Sequence, residues 1–182
     1  MNRPVKFRSG FAAIRAAGFI FPLLASGCFA PADFAGADAD TARCAVPEDE
    51  MQLADQVLQL INFERAEADL APVVVNPVLT KIASDFACRM IDHEFFLHQD
   101  PDTGAGPGDR AREAAYSFYA VGENLAAGQA TAAEVMDVWM ESPAHRDNIL
   151  DARWQEVGIA VRFGGEYSIY WVQEFGDPVA PP

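Results

Sequence analysis

Two histidines and one glutamate in the second half of the chain have the residue types and the spacing of a polar site. His98 begins a stretch rich in glycine and aspartate, Glu123 lies in a Gly-Glu-Asn sequence, and His145 follows a Ser-Pro-Ala sequence. Two imidazoles and a carboxylate can bind zinc and leave a fourth position for water. Because imidazole titrates near neutral pH, the same groups can also act as a general acid and base without a metal. The residues alone leave both uses open.

Several better-known signatures do not fit this chain. His93 and His98 resemble the paired histidines of the zinc-protease helix, but at five residues apart they would diverge by about 140° around a helix. The segment from Asp100 to Gly104 begins like a calcium-binding loop, yet its third carboxylate and its glycine are out of register. The sequence contains no Gly-x-Ser-x-Gly elbow and no glycine loop suited to phosphate. The first candidate site therefore remains the one formed by His98, Glu123 and His145.

Helices are predicted on both sides of these residues. Apolar side chains at spacings of three and four predict a helix over residues 48–70. Asn76 followed by Pro77 predicts the start of a second helix, which runs to about His93 and is followed by a loop over 99–109. A capping box formed by Thr131 and Glu134 predicts another helix start. The remaining helices are predicted over residues 109–115, 131–141 and 142–150.

The end of the chain predicts strands instead. Residues 157–163 and 167–175 alternate between apolar and other side chains, and Gly164 and Gly165 lie between them. This pattern is typical of a β-hairpin. Because the helices precede the strands without a repeating βαβ order, the sequence predicts a layered α+β fold.

The amino terminus predicts export. Residues 1–27 contain four basic and no acidic side chains, and residues 16–24 form an uncharged apolar stretch. This layout is typical of a signal peptide and is too short for a membrane-spanning helix, which needs roughly 20 residues. The small residues before Cys28 resemble a bacterial lipobox, so we expect a lipid on Cys28. Secretion after cleavage near Cys28 and an uncleaved apolar anchor are the alternatives.

The remaining chain is predicted to be one domain on a tether. Residues 28–47 are rich in Ala, Asp and Pro and form a predicted flexible tether, residues 48–178 form the domain, and residues 179–182 form a tail. Without residues 1–27 the chain has 27 acidic and 9 basic side chains, a net charge of −18. An acidic surface repels phosphate backbones, so nucleic acid is excluded as a partner. Attachment to a membrane must come from the anchor at Cys28, in the outer membrane if the cell is Gram-negative.

The cysteines agree with export. If Cys28 carries the lipid or is removed, Cys44 and Cys88 remain as a pair, and in an oxidising compartment such a pair predicts a disulfide. Closing this loop would stabilise the fold by about 4 kcal/mol in the chain-entropy model. The alternative is that Cys88 is a reactive thiol, but its predicted position in the middle of a helix does not favour a low thiol pKa.

The order of several short motifs resembles the bacterial branch of the CAP superfamily, also called the SCP or pathogenesis-related-1 domain. The resemblance spans about Met51 to Gly176. The motifs that carry it are Leu60-Ile-Asn62-Phe-Glu-Arg65, Phe96-Leu-His98, Gly122-Glu123-Asn124-Leu-Ala-Ala-Gly128, Trp139-Met-Glu-Ser-Pro-Ala-His145-Arg-Asp-Asn148, Val157-Gly-Ile-Ala and Tyr170-Trp-Val-Gln173.

This resemblance implies a three-layer α-β-α sandwich with a central antiparallel sheet and a cleft that can hold a divalent cation, often zinc. His98, Glu123 and His145 match three of the cleft positions. A fourth, acidic position on the helix that carries the tryptophan falls on Ser142, and Glu141 lies one residue earlier. Asn62 and Arg65 are expected to bridge the first helix to neighbouring loops.

The first functional hypothesis is a binding module of the cell envelope, with a metal ion, a small molecule or a lipid in its cleft. The alternative is a metal-dependent, peptidase-like hydrolase in which Glu123 would be the base for a zinc-bound water. A third hypothesis is a structural envelope protein. No nucleophile and no oxyanion donor can be identified in the sequence, which favours binding over catalysis.

Overall fold

The computed structural model describes residues 43–179 of the chain. The predicted signal peptide, the lipid attachment at Cys28, the tether up to residue 42 and residues 180–182 lie outside the described residues. Within the described range the helices are α1 (Glu50–Glu67), α2 (Pro77–Asp92), α3 (Pro107–Glu113), α4 (Ala132–Glu141) and α5 (Pro143–Ile149). The strands are β1 (Val74–Val75), β2 (Phe118–Ala127), β3 (Glu156–Phe163) and β4 (Ile169–Pro178).

Local capping determines where two of the helices begin. The Asn76 side chain accepts hydrogen bonds from the backbone N–H groups of Val78 and Leu79, at 2.8 and 3.3 Å, and α2 follows with Pro77 in its first turn. Thr131 and Glu134 form the predicted reciprocal capping box at the start of α4. These side chains satisfy N–H groups that have no partner inside the helix, so the predicted starts of α2 and α4 are confirmed.

One mixed sheet forms the middle layer, with the strand order β1-β3-β4-β2. The predicted hairpin is present, because β3 and β4 pair in antiparallel fashion. β2 and the two-residue β1 were not predicted as strands. β2 pairs antiparallel with β4, whereas β1 pairs parallel with β3, so the sheet is antiparallel except at this short edge.

Helices cover both faces of the sheet. On one face, apolar side chains of α1, α4 and α5 pack against β3 and β4 around the buried Trp139 and Trp171. On the other face, α2 packs through Phe86 and Met90 against alternate residues of the same strands. A Cβ on Gly158 would lie 2.1 Å from the backbone of Leu79, so only glycine lets α2 approach β3 this closely. The predicted three-layer α+β fold is confirmed.

Arg65 ties α1 to the end of α5. Its side chain is fully buried and donates hydrogen bonds to the backbone carbonyls of Ala71, Ile149, Asp151 and Trp154, at 2.8 to 3.1 Å. Asn62 similarly exchanges hydrogen bonds with the backbone of Val73. Both residues therefore bridge the first helix to neighbouring loops, as predicted, and Arg65 holds the carboxyl end of the helix that carries His145.

A disulfide joins Cys44 to Cys88 of α2, with 5.0 Å between their Cα atoms. Its presence confirms the predicted pairing and removes Cys88 as a candidate free thiol. Ala45 also exchanges two backbone hydrogen bonds with Phe163, both at 2.8 Å. The last residues of the predicted tether are thus attached to the domain. No helix within residues 43–179 is both long enough and apolar enough to cross a membrane.

Candidate functional site

Strand β2 lies at one edge of the sheet and presents Glu123 and Asn124 to opposite faces, because successive side chains of a strand alternate. Glu123 is directly opposite Glu174 of β4, and Asn124 is directly opposite Gln173. The first pair lies on the face covered by α2, and the second lies on the face covered by α4 and α5. The candidate site therefore extends around one edge of the sheet.

The three residues predicted to form the site do lie together. An open cleft of about 450 Å³ is lined by His98, Glu123 and His145, along with Asn124, Asp147 and Asn148. His98 reaches it from the loop after α2, and His145 reaches it from α5. Glu141 is exposed at the end of α4 and is not among the residues that line this cleft.

Both carboxylate oxygens of Glu123 are already engaged. Its Oε1 lies 2.7 Å from Nδ1 of His98, and its Oε2 accepts a hydrogen bond from Nη2 of Arg110. The Glu123 side chain is only 1% exposed, whereas that of His98 is 55% exposed. A buried carboxylate thus supports an imidazole that is open to solvent.

Arg110 of α3 connects the separate parts of this half of the site. Its guanidinium contacts Glu123 and lies 3.5 Å from Oε1 of Glu174. It also donates hydrogen bonds to the carbonyls of His98 and Ala105, both at 3.2 Å. Its Cζ lies 3.4 Å from the centre of the Phe86 ring, which is within the range of a cation–π contact.

Glu174 adds a second buried carboxyl group next to Glu123. Burial, and then the negative charge of Glu123, raise the pKa of Glu174 well above its usual range, and Arg110 only partly opposes this. Glu174 therefore keeps its proton to a higher pH than an exposed glutamate does, because two adjacent buried carboxylates ionise together only at a high cost in free energy.

The other half of the site consists of amides. Asn124 donates hydrogen bonds to the backbone carbonyl of His145 and to Oε1 of Gln173, at 3.1 and 3.0 Å, and accepts one from Asn148 at 3.1 Å. A Cβ on Gly122 would lie 2.4 Å from Oδ1 of Asn148, so a glycine is required beside this network. The amides hold α5, and with it His145, against the edge strand.

His145 is half-buried. Its Nδ1 is buried and has no hydrogen-bond partner among the described residues, and the residue lines the cleft. Burial, and then the proximity of His98, lower the pKa of His145. The ring is therefore neutral at pH 7 and has a lone pair available to a ligand.

Sequence reasoning missed Arg110 and Glu174. A signal for Glu174 was present, because it occupies the same face of β4 as Tyr170 and Val172, both buried. A carboxyl group on a buried strand face requires a partner. The identity of that partner depends on how α3 packs, which the local sequence does not reveal.

Residues 58–175 match the family described as CAP, the cysteine-rich secretory protein family. This match covers more than half of the chain, and the chain belongs to the CAP family.

The curated relatives are longer proteins. YkwD of Bacillus subtilis is 35% identical over 120 residues, which cover 66% of this chain and 45% of YkwD. The membrane protein YlbC of the same organism is 26% identical over 106 residues, which cover 58% of this chain and 30% of YlbC. The chain thus spans less than half the length of either relative.

Solved structures of bacterial proteins share the fold. An outer surface protein of Borrelia burgdorferi superposes with a TM-score of 0.65 at 20% identity, covering 70% of this chain and 94% of the Borrelia protein. An extracellular SCP-domain protein of Bacillus anthracis superposes with a TM-score of 0.63 at 25% identity, covering 72% of this chain and 44% of that one.

Proposed function

We propose that this chain is an exported CAP-domain protein of the bacterial cell envelope whose cleft binds a divalent metal ion or a small ligand between His98 and His145. The proteins whose solved structures superpose on this chain include an outer surface protein and an extracellular protein, which agrees with export. A lipid anchor on Cys28 is part of the proposal and depends on the sequence alone. Loss of palmitate labelling in a Cys28→Ser variant would be the expected sign of that anchor.

The observation that carries the metal proposal is the hydrogen bond between Glu123 and Nδ1 of His98. A carboxylate that accepts from one ring nitrogen fixes the tautomer and leaves the other nitrogen as a lone-pair donor, an arrangement common behind metal-binding histidines. The geometry favours two imidazole ligands with Glu123 behind His98 over the predicted set in which Glu123 is itself a ligand.

The donor set limits this interpretation to two protein ligands. Within residues 43–179 no three His, Cys, Asp or Glu side chains are grouped so that they could hold a metal ion together. Two imidazoles suit zinc and similar divalent ions, and solvent would complete the coordination. A bound cation would supply positive charge that attracts anionic or carbonyl groups to the cleft.

The same contacts do not support the hydrolase alternative. A general base must have an oxygen free to take a proton from water or substrate. One oxygen of Glu123 contacts His98 and the other contacts Arg110, and its side chain is almost completely buried. We therefore propose binding and assign no reaction.

Zinc titration of the purified, metal-stripped protein tests this function. We expect one zinc ion per chain in the wild type, measured by calorimetry and by metal analysis, and loss of this binding in the double variant His98→Ala with His145→Ala. The matched control is His93→Ala, because His93 is the third histidine of the chain and does not line the cleft. Equal zinc uptake by the wild type and the double variant would show that the cleft is not the metal site.

A further inference from the structure

Arg110 contacts both the backbone and the carboxylate that place His98. One guanidinium nitrogen, Nη1, donates to the carbonyl of His98, and the other, Nη2, donates to Oε2 of Glu123. With Oε2 occupied in this way, Oε1 of Glu123 remains to accept from Nδ1 of His98. Arg110 thus restrains His98 in two ways. It contacts the backbone carbonyl of His98 directly, and it contacts the carboxylate that binds the His98 ring.

We infer that Arg110 is a positioning residue of the cleft, which acts through Glu123 to keep His98 in the Nδ1–H tautomer with Nε2 toward the cleft. The inference deepens the proposed function. The Nε2 atom of a histidine can donate a lone pair to a ligand only when it carries no proton, as in the Nδ1–H tautomer.

Charge is the first reason that Arg110 is needed. Glu123 and Glu174 are cross-strand neighbours, and their side chains are 1% and 2% exposed. A buried carboxylate without a cation takes up a proton rather than remaining charged. Arg110 is the cation that contacts both carboxyl groups within the described residues, and its charge-assisted hydrogen bond to Oε2 holds the Glu123 side chain where Oε1 contacts His98.

Shape is the second reason. The planar guanidinium lies over the Phe86 ring and directs its donors to two carbonyls and two carboxyl groups at once. An ammonium group carries the same charge but has neither the planar face nor the fixed fork of donors. Lysine at this position should therefore restore a positive charge next to Glu123 without restoring all of the contacts with the loop of His98.

The experiment uses long-range proton–nitrogen NMR of the histidine rings in metal-free protein at pH 8. The chain has three histidines, so the signal of His98 is identified by its loss in His98→Ala. We expect the Nδ1–H tautomer in the wild type, a mixture of tautomers in Arg110→Gln, and an intermediate result in Arg110→Lys. The control is Arg112→Gln, which lies on the same helix, forms an exposed ion pair with Asp109 and should leave the spectrum unchanged.

A second pair of variants covers the case in which Arg110→Gln does not fold. In Glu174→Gln the second buried carboxyl group is replaced by an amide that cannot ionise, so removal of Arg110 from this background leaves Glu123 as the one acidic group of the cluster without its cation. We expect the tautomer to change between Glu174→Gln and the double variant Arg110→Gln with Glu174→Gln. An unchanged His98 tautomer in either comparison, or a wild type without the Nδ1–H form, would overturn the inference.

The same variants separate this inference from the proposed function. The NMR measurement needs no metal, so a change of tautomer stands even if the cleft binds no zinc. If zinc does bind, we expect Arg110→Gln to weaken it by roughly 10- to 100-fold, the usual effect of removing a group behind a metal ligand.

Discussion

The two faces of β2 support the cleft with different chemistry. On the face toward α2, Glu123, Arg110 and Glu174 form a buried charged group that holds His98. On the face toward α5, Asn124 forms a network of neutral amides with Gln173 and Asn148 and holds the backbone of His145. We refer to these as the charged side and the amide side of the cleft.

The difference between the two sides shows how one edge strand can place two similar imidazoles in different states. The charged side depends on ionisation, so it changes with pH and is destabilised strongly when one member is lost. The amide side has no titratable member apart from His145, and its hydrogen bonds do not depend on charge. The exposed His98 is therefore held by groups whose contacts depend on charge. The half-buried His145 is held by hydrogen bonds that do not depend on charge.

Loss of the Arg110 cation should destabilise the protein more than any change on the amide side. In Arg110→Met two buried carboxyl groups lose their positive partner, and we expect the free energy of unfolding to fall by roughly 3–5 kcal/mol in urea denaturation at pH 7. Arg112→Met is the matched control, because its ion pair with Asp109 is about two-thirds exposed and should change stability by less than about 0.5 kcal/mol. Equal effects of the two substitutions would mean that Arg110 is not the centre of the charged side.

The sequence predicted the helices and the hairpin because their signals are local. Asn76 with Pro77 and Thr131 with Glu134 define helix starts within a few residues, and alternation with a glycine pair defines the hairpin. Strand β2 has no such signal, since Gly122, Glu123 and Asn124 interrupt its middle with residues of low strand propensity. It forms a strand because β4, which is far away in the sequence, pairs with it.

The residues of the candidate site were predictable from the sequence, but their arrangement was not. The types and spacing of His98, Glu123 and His145 indicated a polar site, and the family resemblance implied that they share a cleft. The division into two sides was not predictable, because it follows from the register that pairs Glu123 with Glu174 and Asn124 with Gln173. Nor could the sequence show that both oxygens of Glu123 are engaged, since Arg110 reaches it from another layer of the fold.

A smaller loss, independent of pH, is expected on the amide side. Asn124→Ala removes one donor group and one acceptor and leaves Gln173 and Asn148 without this partner. We expect the free energy of unfolding to fall by roughly 1–3 kcal/mol, because buried polar groups would lose their hydrogen bonds. The measurement is urea denaturation at pH 5 and at pH 8, and the loss relative to wild type should be the same at both values. A loss that differs between the two would mean that the amide side is coupled to the titration of His145 or of the charged side.

The smallest expected effect is the pH dependence that Glu174 should add to the free energy of unfolding. Because its pKa is raised in the folded protein, the folded state holds a proton that the unfolded state releases above the usual carboxyl pKa of 4.5. The stability contributed by this group is therefore complete at acidic pH and decreases as pH rises above that value, by up to about 1.4 kcal/mol per pH unit.

Glutamine cannot titrate, so Glu174→Gln should remove this slope between pH 5 and 7. Titrating groups that do not contact Glu174, including His145, contribute equally to both proteins, so the difference between the two slopes reports on Glu174 and its neighbour Glu123. Parallel stability curves for wild type and Glu174→Gln would mean that Glu174 is ionised in the folded state, and the charged side would then hold two carboxylates on one arginine.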